Sequence, residues 1–155
     1  MNLHGTHRFA APRERVFEAI RDPRVLMAVI PGCEGVEQTA PDEYIGRITL
    51  RLPGAVGSYR TTVRMVDVVA PERAGLDGRV EGAMGAIAGR ADVTLTDAET
   101  ADGRPGGTEM AYRGSGTIDG PLARLDSRFA ERLAESLIAQ GLRALDLRLA
   151  TEGSE

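Results

Sequence analysis

The order in which the hydrophobic period changes along the chain outlines its architecture. Between Leu3 and Phe9, the residues Leu3, Gly5, His7 and Phe9 alternate with His4, Thr6 and Arg8, the period-two pattern of a strand. Two short helices are predicted next. In the first, Pro12 occupies the opening turn and Val16, Phe17 and Ile20 form one apolar side. In the second, Asp22 is placed to cap and Pro23 suits the first helical position. Pro31-Gly32 ends this stretch.

Four or five strands follow. Tyr44, Gly46, Ile48, Leu50 and Leu52 share one face, with Arg47, Thr49 and Arg51 opposite. Tyr59, Thr61, Val63 and Met65 oppose Arg60, Thr62 and Arg64. Leu76, Gly78, Val80, Gly82 and Met84 oppose Asp77, Arg79 and Glu81. Ile87, Gly89, Ala91, Val93 and Leu95 oppose Arg90, Asp92 and Thr94. Met110, Tyr112, Gly114, Gly116 and Ile118 oppose Glu109, Arg113, Ser115 and Thr117. Pro53-Gly54, Pro71-Glu72 and Asp102-Gly103 supply turn chemistry between them. One face is apolar and the other charged, as in an antiparallel sheet with one wet side.

From Pro121 the period becomes helical. Leu125, Phe129, Leu133, Leu137, Gly141, Leu145 and Leu149 step by four, flanked by Leu122, Ala130, Ala134, Ile138 and Leu142. The stripe covers about 30 residues, or ~45 Å of helix. The apolar sheet face and the apolar stripe must cover each other. The predicted fold is therefore α+β, a curved antiparallel sheet around a long C-terminal helix, with the two small helices closing one end. A single domain is expected over residues 1–150, with a short tail at 151–155.

Composition and charge then remove several classes of function. Every basic residue is arginine, and the net charge of −4 argues against a nucleic-acid binder, which needs a clustered positive surface. Cys33 stands alone, so no internal disulfide is expected, which suits a reducing cytoplasm. Charged residues near the N-terminus occupy the place of a signal-peptide core, and no apolar run approaches the ~20 residues of a spanning helix. A cytoplasmic protein is expected, at most peripheral to the membrane's cytoplasmic face.

The inward sheet face is unusually rich in small residues: Gly46, Gly78, Gly82, Gly89, Ala91, Gly114 and Gly116. Such residues let a sheet bend, admit the helix closely, or leave a void. A void is the expectation pursued, as a cavity for a small apolar molecule. Its mouth is assigned to Leu26, Met27 and Ile30, on a segment that serves as a gate or as a packed lid. Its sheet wall is assigned to Tyr44, Ile48, Tyr59, Val63, Met65, Gly82, Met84, Val93, Met110, Tyr112 and Gly114. Phe129, Leu133 and Leu137 are its helix wall.

No catalytic pair emerges from the pattern. The inward polar groups of the main strands are Thr61 and the three tyrosines, and His7 is the one inward histidine. His4 and His7 face opposite sides and cannot chelate one metal. Asp92, Asp97, Glu99 and Asp102 fall on the wet face or in a turn, and no phosphate-cradling loop is present. No catalytic residue, metal or cofactor is predicted. The leading function is a non-enzymatic binder of a hydrophobic small molecule. A polyketide cyclase or aromatase using His7 or a tyrosine, and a ligand-free interaction module, are the alternatives.

Several segments also resemble a known family. They are Asp22-Pro23 through Ile30-Pro31-Gly32-Cys33-Glu34, Gly57-Ser58-Tyr59-Arg60, the glycine-spaced Gly82 to Gly89, Thr108 to Tyr112, and Gly120-Pro121-Leu122-Ala123-Arg124-Leu125-Asp126-Ser127-Arg128. In order and spacing they are similar to the CoxG family of carbon monoxide dehydrogenase subunits. The resemblance implies the helix-grip fold of the START and pollen-allergen domains. It also implies an accessory protein of a molybdenum hydroxylase of the carbon monoxide dehydrogenase type, recruiting that enzyme to the membrane or shuttling a quinone. Two departures stand out. The sequence ends at Ser154-Glu155, where family members often continue into a membrane-associating segment, and Asp126 stands where a small residue is expected.

Overall fold

A computed structural model describes residues 1–153. Strand β1 (Asn2–Phe9) leads into helices α1 (Arg13–Ala19) and α2 (Pro23–Val29). Six further strands follow, β2 (Cys33–Ala40), β3 (Glu43–Leu50), β4 (Gly57–Val69), β5 (Arg73–Gly82), β6 (Gly85–Ala98) and β7 (Gly107–Asp119). A single-turn 3-10 helix (Gly120–Arg124) precedes the long helix α3 (Ser127–Gly153). The seven strands form one antiparallel sheet in the order β1-β7-β6-β5-β4-β3-β2. β1 and β2 are thus opposite edges, and α1 and α2 carry the chain from one to the other across the end of the sheet.

The predicted alternation and the observed faces agree. Arg47, Arg60, Arg64, Arg79, Arg90 and Arg113 are all exposed, while Tyr44, Tyr59, Met65, Val93, Leu95 and Met110 are buried. β2 is an element the pattern does not reveal. Its sequence CEGVEQTA holds one large aliphatic residue, and two register shifts in its pairing with β3, at Cys33/Gly35 and Gln38/Ala40, interrupt the period of two.

Asp22 caps α2 by accepting a hydrogen bond from the Arg24 amide, 2.9 Å, and Pro23 follows it. α1 lacks a side-chain cap and is held by burial of Val16, Phe17 and Ala19. Full burial of an aliphatic or aromatic side chain such as Val16 or Phe17 contributes roughly 1.5–3 kcal/mol. Asp126, where the resemblance leads one to expect a small residue, has a structural role. Its carboxylate accepts from the Arg128 and Phe129 amides, 3.0 and 3.1 Å, and so starts α3. α3 continues through Thr151 to Gly153, past the boundary expected at residue 150. Ser154 and Glu155 of the expected tail lie outside the described residues.

Two apolar clusters occupy the concave side. The larger joins Phe9, Val16, Phe17, Val25, Tyr44, Met65, Val93, Leu95 and Met110 with Leu145 and Leu149 of α3. The smaller, at the other end of the sheet, centres on Ala55, Tyr59 and Leu122.

The inward glycines require a correction. Gly46 borders a void, but Gly82, Gly89, Gly114 and Gly116 neither open onto one nor receive the helix. A Cβ on Gly82 would stand 2.6 Å from the Ser58 carbonyl oxygen, and one on Gly116 2.8 Å from that of Ala88. At Gly114 it would meet Ala91 at 3.1 Å, and at Gly89 it would run into the Ser115 carbonyl. These atoms belong to the sheet itself. Gly78, Gly89 and Gly116 are register partners across β5, β6 and β7. Such a row lets neighbouring strands curl toward one another on the concave side. The glycine that does admit a close approach is in the helix. At Gly141 the nearest atoms to a Cβ position are the Val29 carbonyl oxygen at 3.6 Å and Pro31 at 3.7 Å.

Candidate functional site

The concave face, α2 and α3 enclose a cavity of about 340 Å³. Its floor comes from Tyr44, Gly46 and Ile48 of β3, Thr61, Val63 and Met65 of β4, and Leu76 of β5. Ala91 and Val93 of β6 and Met110 and Tyr112 of β7 continue it. Ile138 and Leu142 of α3 form the roof. Ile20, Leu26, Ile30, Cys33 and Val36 close the end between α1, α2 and β2. Alternation places the floor residues inward, and α2 is drawn over them by Val25, which is buried in the main cluster.

Nine of the residues assigned to the cavity from sequence line it: Leu26, Ile30, Tyr44, Ile48, Val63, Met65, Val93, Met110 and Tyr112. The others are elsewhere. Met27 is 47% exposed on the outer side of α2. Tyr59 and Met84 belong to the smaller cluster. Gly82 lies beneath the Tyr59 ring, and Gly114 packs on Ala91. Leu133 and Leu137 line a second, smaller void of about 90 Å³ beside Tyr59 and Leu122. Phe129 is half-buried and lines neither.

The helix wall is thus displaced toward the C-terminus, to Ile138 and Leu142. A continuous apolar stripe carries no mark of which turn faces the larger void. Cys33 and Val36 escape the pattern as well, because β2 shows no clear period. Leu76, Gly46, Thr61 and Ala91 are legible as inward positions from alternation alone.

The polar groups of the wall are few. The Tyr44 hydroxyl donates to the Arg21 carbonyl at 2.8 Å, and Arg21 pairs with Asp42 at 2.7 Å. Burial pushes the Tyr44 and Tyr112 phenols above their ordinary range; the charge of Glu135 adds to the effect at Tyr112. Both stay protonated at neutral pH. The Cys33 thiol faces the Gly35 carbonyl at 3.5 Å. Thr61 Oγ1 is buried without a hydrogen-bond partner. No carboxylate, imidazole or guanidinium is among the lining residues. His7, inward on β1, is held instead by Asp146 of α3 at 3.4 Å, and its ring packs edge-on against Phe9. His4 is exposed, as are Asp92, Asp97, Glu99 and Asp102.

Such a site can desolvate an apolar molecule of modest size and offer one or two hydrogen bonds.

Among the described residues, no helix is long and apolar enough to cross a membrane. The family model for CoxG, a subunit of carbon monoxide dehydrogenase, matches residues 5–150. A search of curated proteins finds no match. Among solved structures, a conserved protein from Geobacillus kaustophilus aligns with a TM-score of 0.88 at 22% identity, covering 97% of this chain and 96% of its own. A START superfamily protein from Mycobacterium smegmatis aligns with a TM-score of 0.74 at 11% identity, covering 97% of each chain. At these identities the two neighbours establish the fold.

Proposed function

Because the chain belongs to the CoxG family of carbon monoxide dehydrogenase subunits, we propose that it is a non-enzymatic carrier that holds a hydrophobic small molecule in the cavity beneath α2 and α3. The observation that carries this reading is the wall itself. About 340 Å³ is enclosed almost wholly by aliphatic, methionine and aromatic side chains, within the usual range for small-ligand sites. Transfer of an apolar molecule into it is favoured by roughly 25 cal/mol per Å² of surface removed from water. The family further supports service to a molybdenum hydroxylase of the carbon monoxide dehydrogenase type, with a quinone as the molecule carried. A quinone suits the wall, since its rings are apolar and its oxygens are neutral acceptors.

The cyclase-like alternative receives no comparable support. Its one imidazole candidate, His7, is engaged by Asp146 and does not line the cavity. A ligand-free interaction module would have little use for an apolar chamber of this size.

Native mass spectrometry of freshly purified protein, before and after organic extraction, tests the carrier reading. One apolar molecule per chain, lost on extraction and recovered in the organic phase, is the expected result. Protein that is free of ligand as isolated and takes up neither a naphthoquinone nor a hydrocarbon of similar size would overturn it.

A further inference from the structure

The geometry points to Thr61 as the residue that orients the bound molecule, by hydrogen bonding one neutral oxygen carried on an otherwise apolar ring. This rests on the carrier reading above and narrows its ligand class.

The polar side chains of the wall differ in what remains available to them. Tyr44 is engaged by the Arg21 carbonyl, and the Cys33 thiol by Gly35. Tyr112 lays its ring toward β1, so that its hydroxyl oxygen is 2.5 Å from where a Cβ on Gly5 would stand. That hydroxyl is thus carried to the edge of the sheet. Thr61 is in the floor, on β4, and its Oγ1 is buried with no partner. Its cross-strand neighbours are Gly46 on β3 and Val80 on β5, neither of which can bond a hydroxyl through its side chain. Gly46, having no side chain, also leaves Thr61 uncovered on that flank.

A valine would occupy the same volume without burying an unpaired hydroxyl, which opposes folding. Valine does stand two residues on, at Val63, in the same wall. The hydroxyl therefore has a use that no contact within the protein supplies. A threonine donates one hydrogen bond and accepts others, so an oxo or a hydroxyl group suits it. An ionised group does not, because no cation lines the cavity to offset its desolvation.

The experiment measures binding of two matched probes, menadione and methylnaphthalene, which share a ring system and a methyl group but differ in the two oxygens. In Thr61→Val, menadione affinity should fall about tenfold while methylnaphthalene affinity holds. The thermal midpoint of the ligand-free variant should hold or rise. Thr61→Ser should keep the preference for menadione. Should the valine variant fold poorly, Thr61→Ala gives the same readout, because the ratio of the two affinities is insensitive to a general loss of packing. An unchanged ratio in Thr61→Val, or a ratio that collapses in Tyr112→Phe instead, would overturn the assignment while leaving the carrier reading intact. Binding of neither probe by the unmodified protein would overturn both.

Discussion

Tyr59 covers Gly82 across the β4–β5 pairing: the two are register partners, and the ring's Cδ1 stands 3.0 Å from where a Cβ on Gly82 would be. Tyr112 and Gly5 repeat the arrangement between β7 and β1. In both pairs an aromatic ring fills the space above a strand that has no side chain. At Gly82 a Cβ would also approach the Ser58 carbonyl at 2.6 Å, and backbone yields less readily than a flexible side chain. Gly82→Val should therefore destabilise the protein by about 1–3 kcal/mol. Denaturant unfolding reads this as a lowered midpoint at constant slope; an unchanged or raised midpoint would contradict the packing described.

The glycine row permits a contrast of sign between two neighbours. At Gly78 the nearest atoms to a Cβ position are the Thr62 carbonyl oxygen at 3.7 Å and Val63 Cγ2 at 3.9 Å, ordinary contacts. At its register partner Gly89 the same atom would collide with the Ser115 carbonyl. Gly78→Ala should hold or raise stability by up to ~1 kcal/mol, through reduced freedom of the unfolded chain. Gly89→Ala should lower it. Thermal melts of the two variants side by side decide the matter, and equal shifts would count against the strand-curling account.

Leu26 and Ile30 lie at the end of the cavity closed by α2, whereas Met27 points outward. Leu26→Asp and Ile30→Asp place a charge that a hydrophobic molecule must pass or desolvate. Each should slow uptake and weaken binding of menadione several-fold, while Met27→Asp leaves both near the unmodified values. Stopped-flow fluorescence quenching would show the difference. Equal effects at all three positions would remove α2 from the entry route.

Asp22 links acidity to this same helix. Burial opposes its charge, but the Arg24 amide and guanidinium more than compensate and hold its carboxyl below the usual carboxylate range. A carboxyl lowered in the folded state stabilises the fold above its unfolded value and ceases to do so as pH falls through the folded one. Asp22→Asn, which still caps, should be less stable than the unmodified protein at neutral pH. The gap should close as pH drops below about 4. Melting curves of both proteins across that range measure it, and a gap independent of pH would show that the charge contributes nothing.

The inward and outward faces of the strands and the apolar helix stripe are both legible in the residue pattern. Alternation has a period of two, so a run such as Tyr59, Thr61, Val63, Met65 against Arg60, Thr62, Arg64 has only two faces to choose between, and charge chooses. The same logic places Tyr44, Ile48, Val63, Met65, Val93, Met110 and Tyr112 in the cavity floor. It fails for β2, where two register shifts interrupt the period.

Distances between backbones are a different kind of information. Whether Gly89 faces open space or a Ser115 carbonyl depends on how far the sheet has curled, which is a sum over seven strands and their registers. Which turn of α3 roofs the cavity depends on where Asp126 starts the helix and where Gly141 lets the α2 segment approach it. The unpartnered hydroxyl of Thr61 follows from Gly46 and Val80 standing beside it across the sheet. Local periodicity assigns a face to a side chain; what that face meets is settled by residues far away in the chain, through the curvature and packing they impose together.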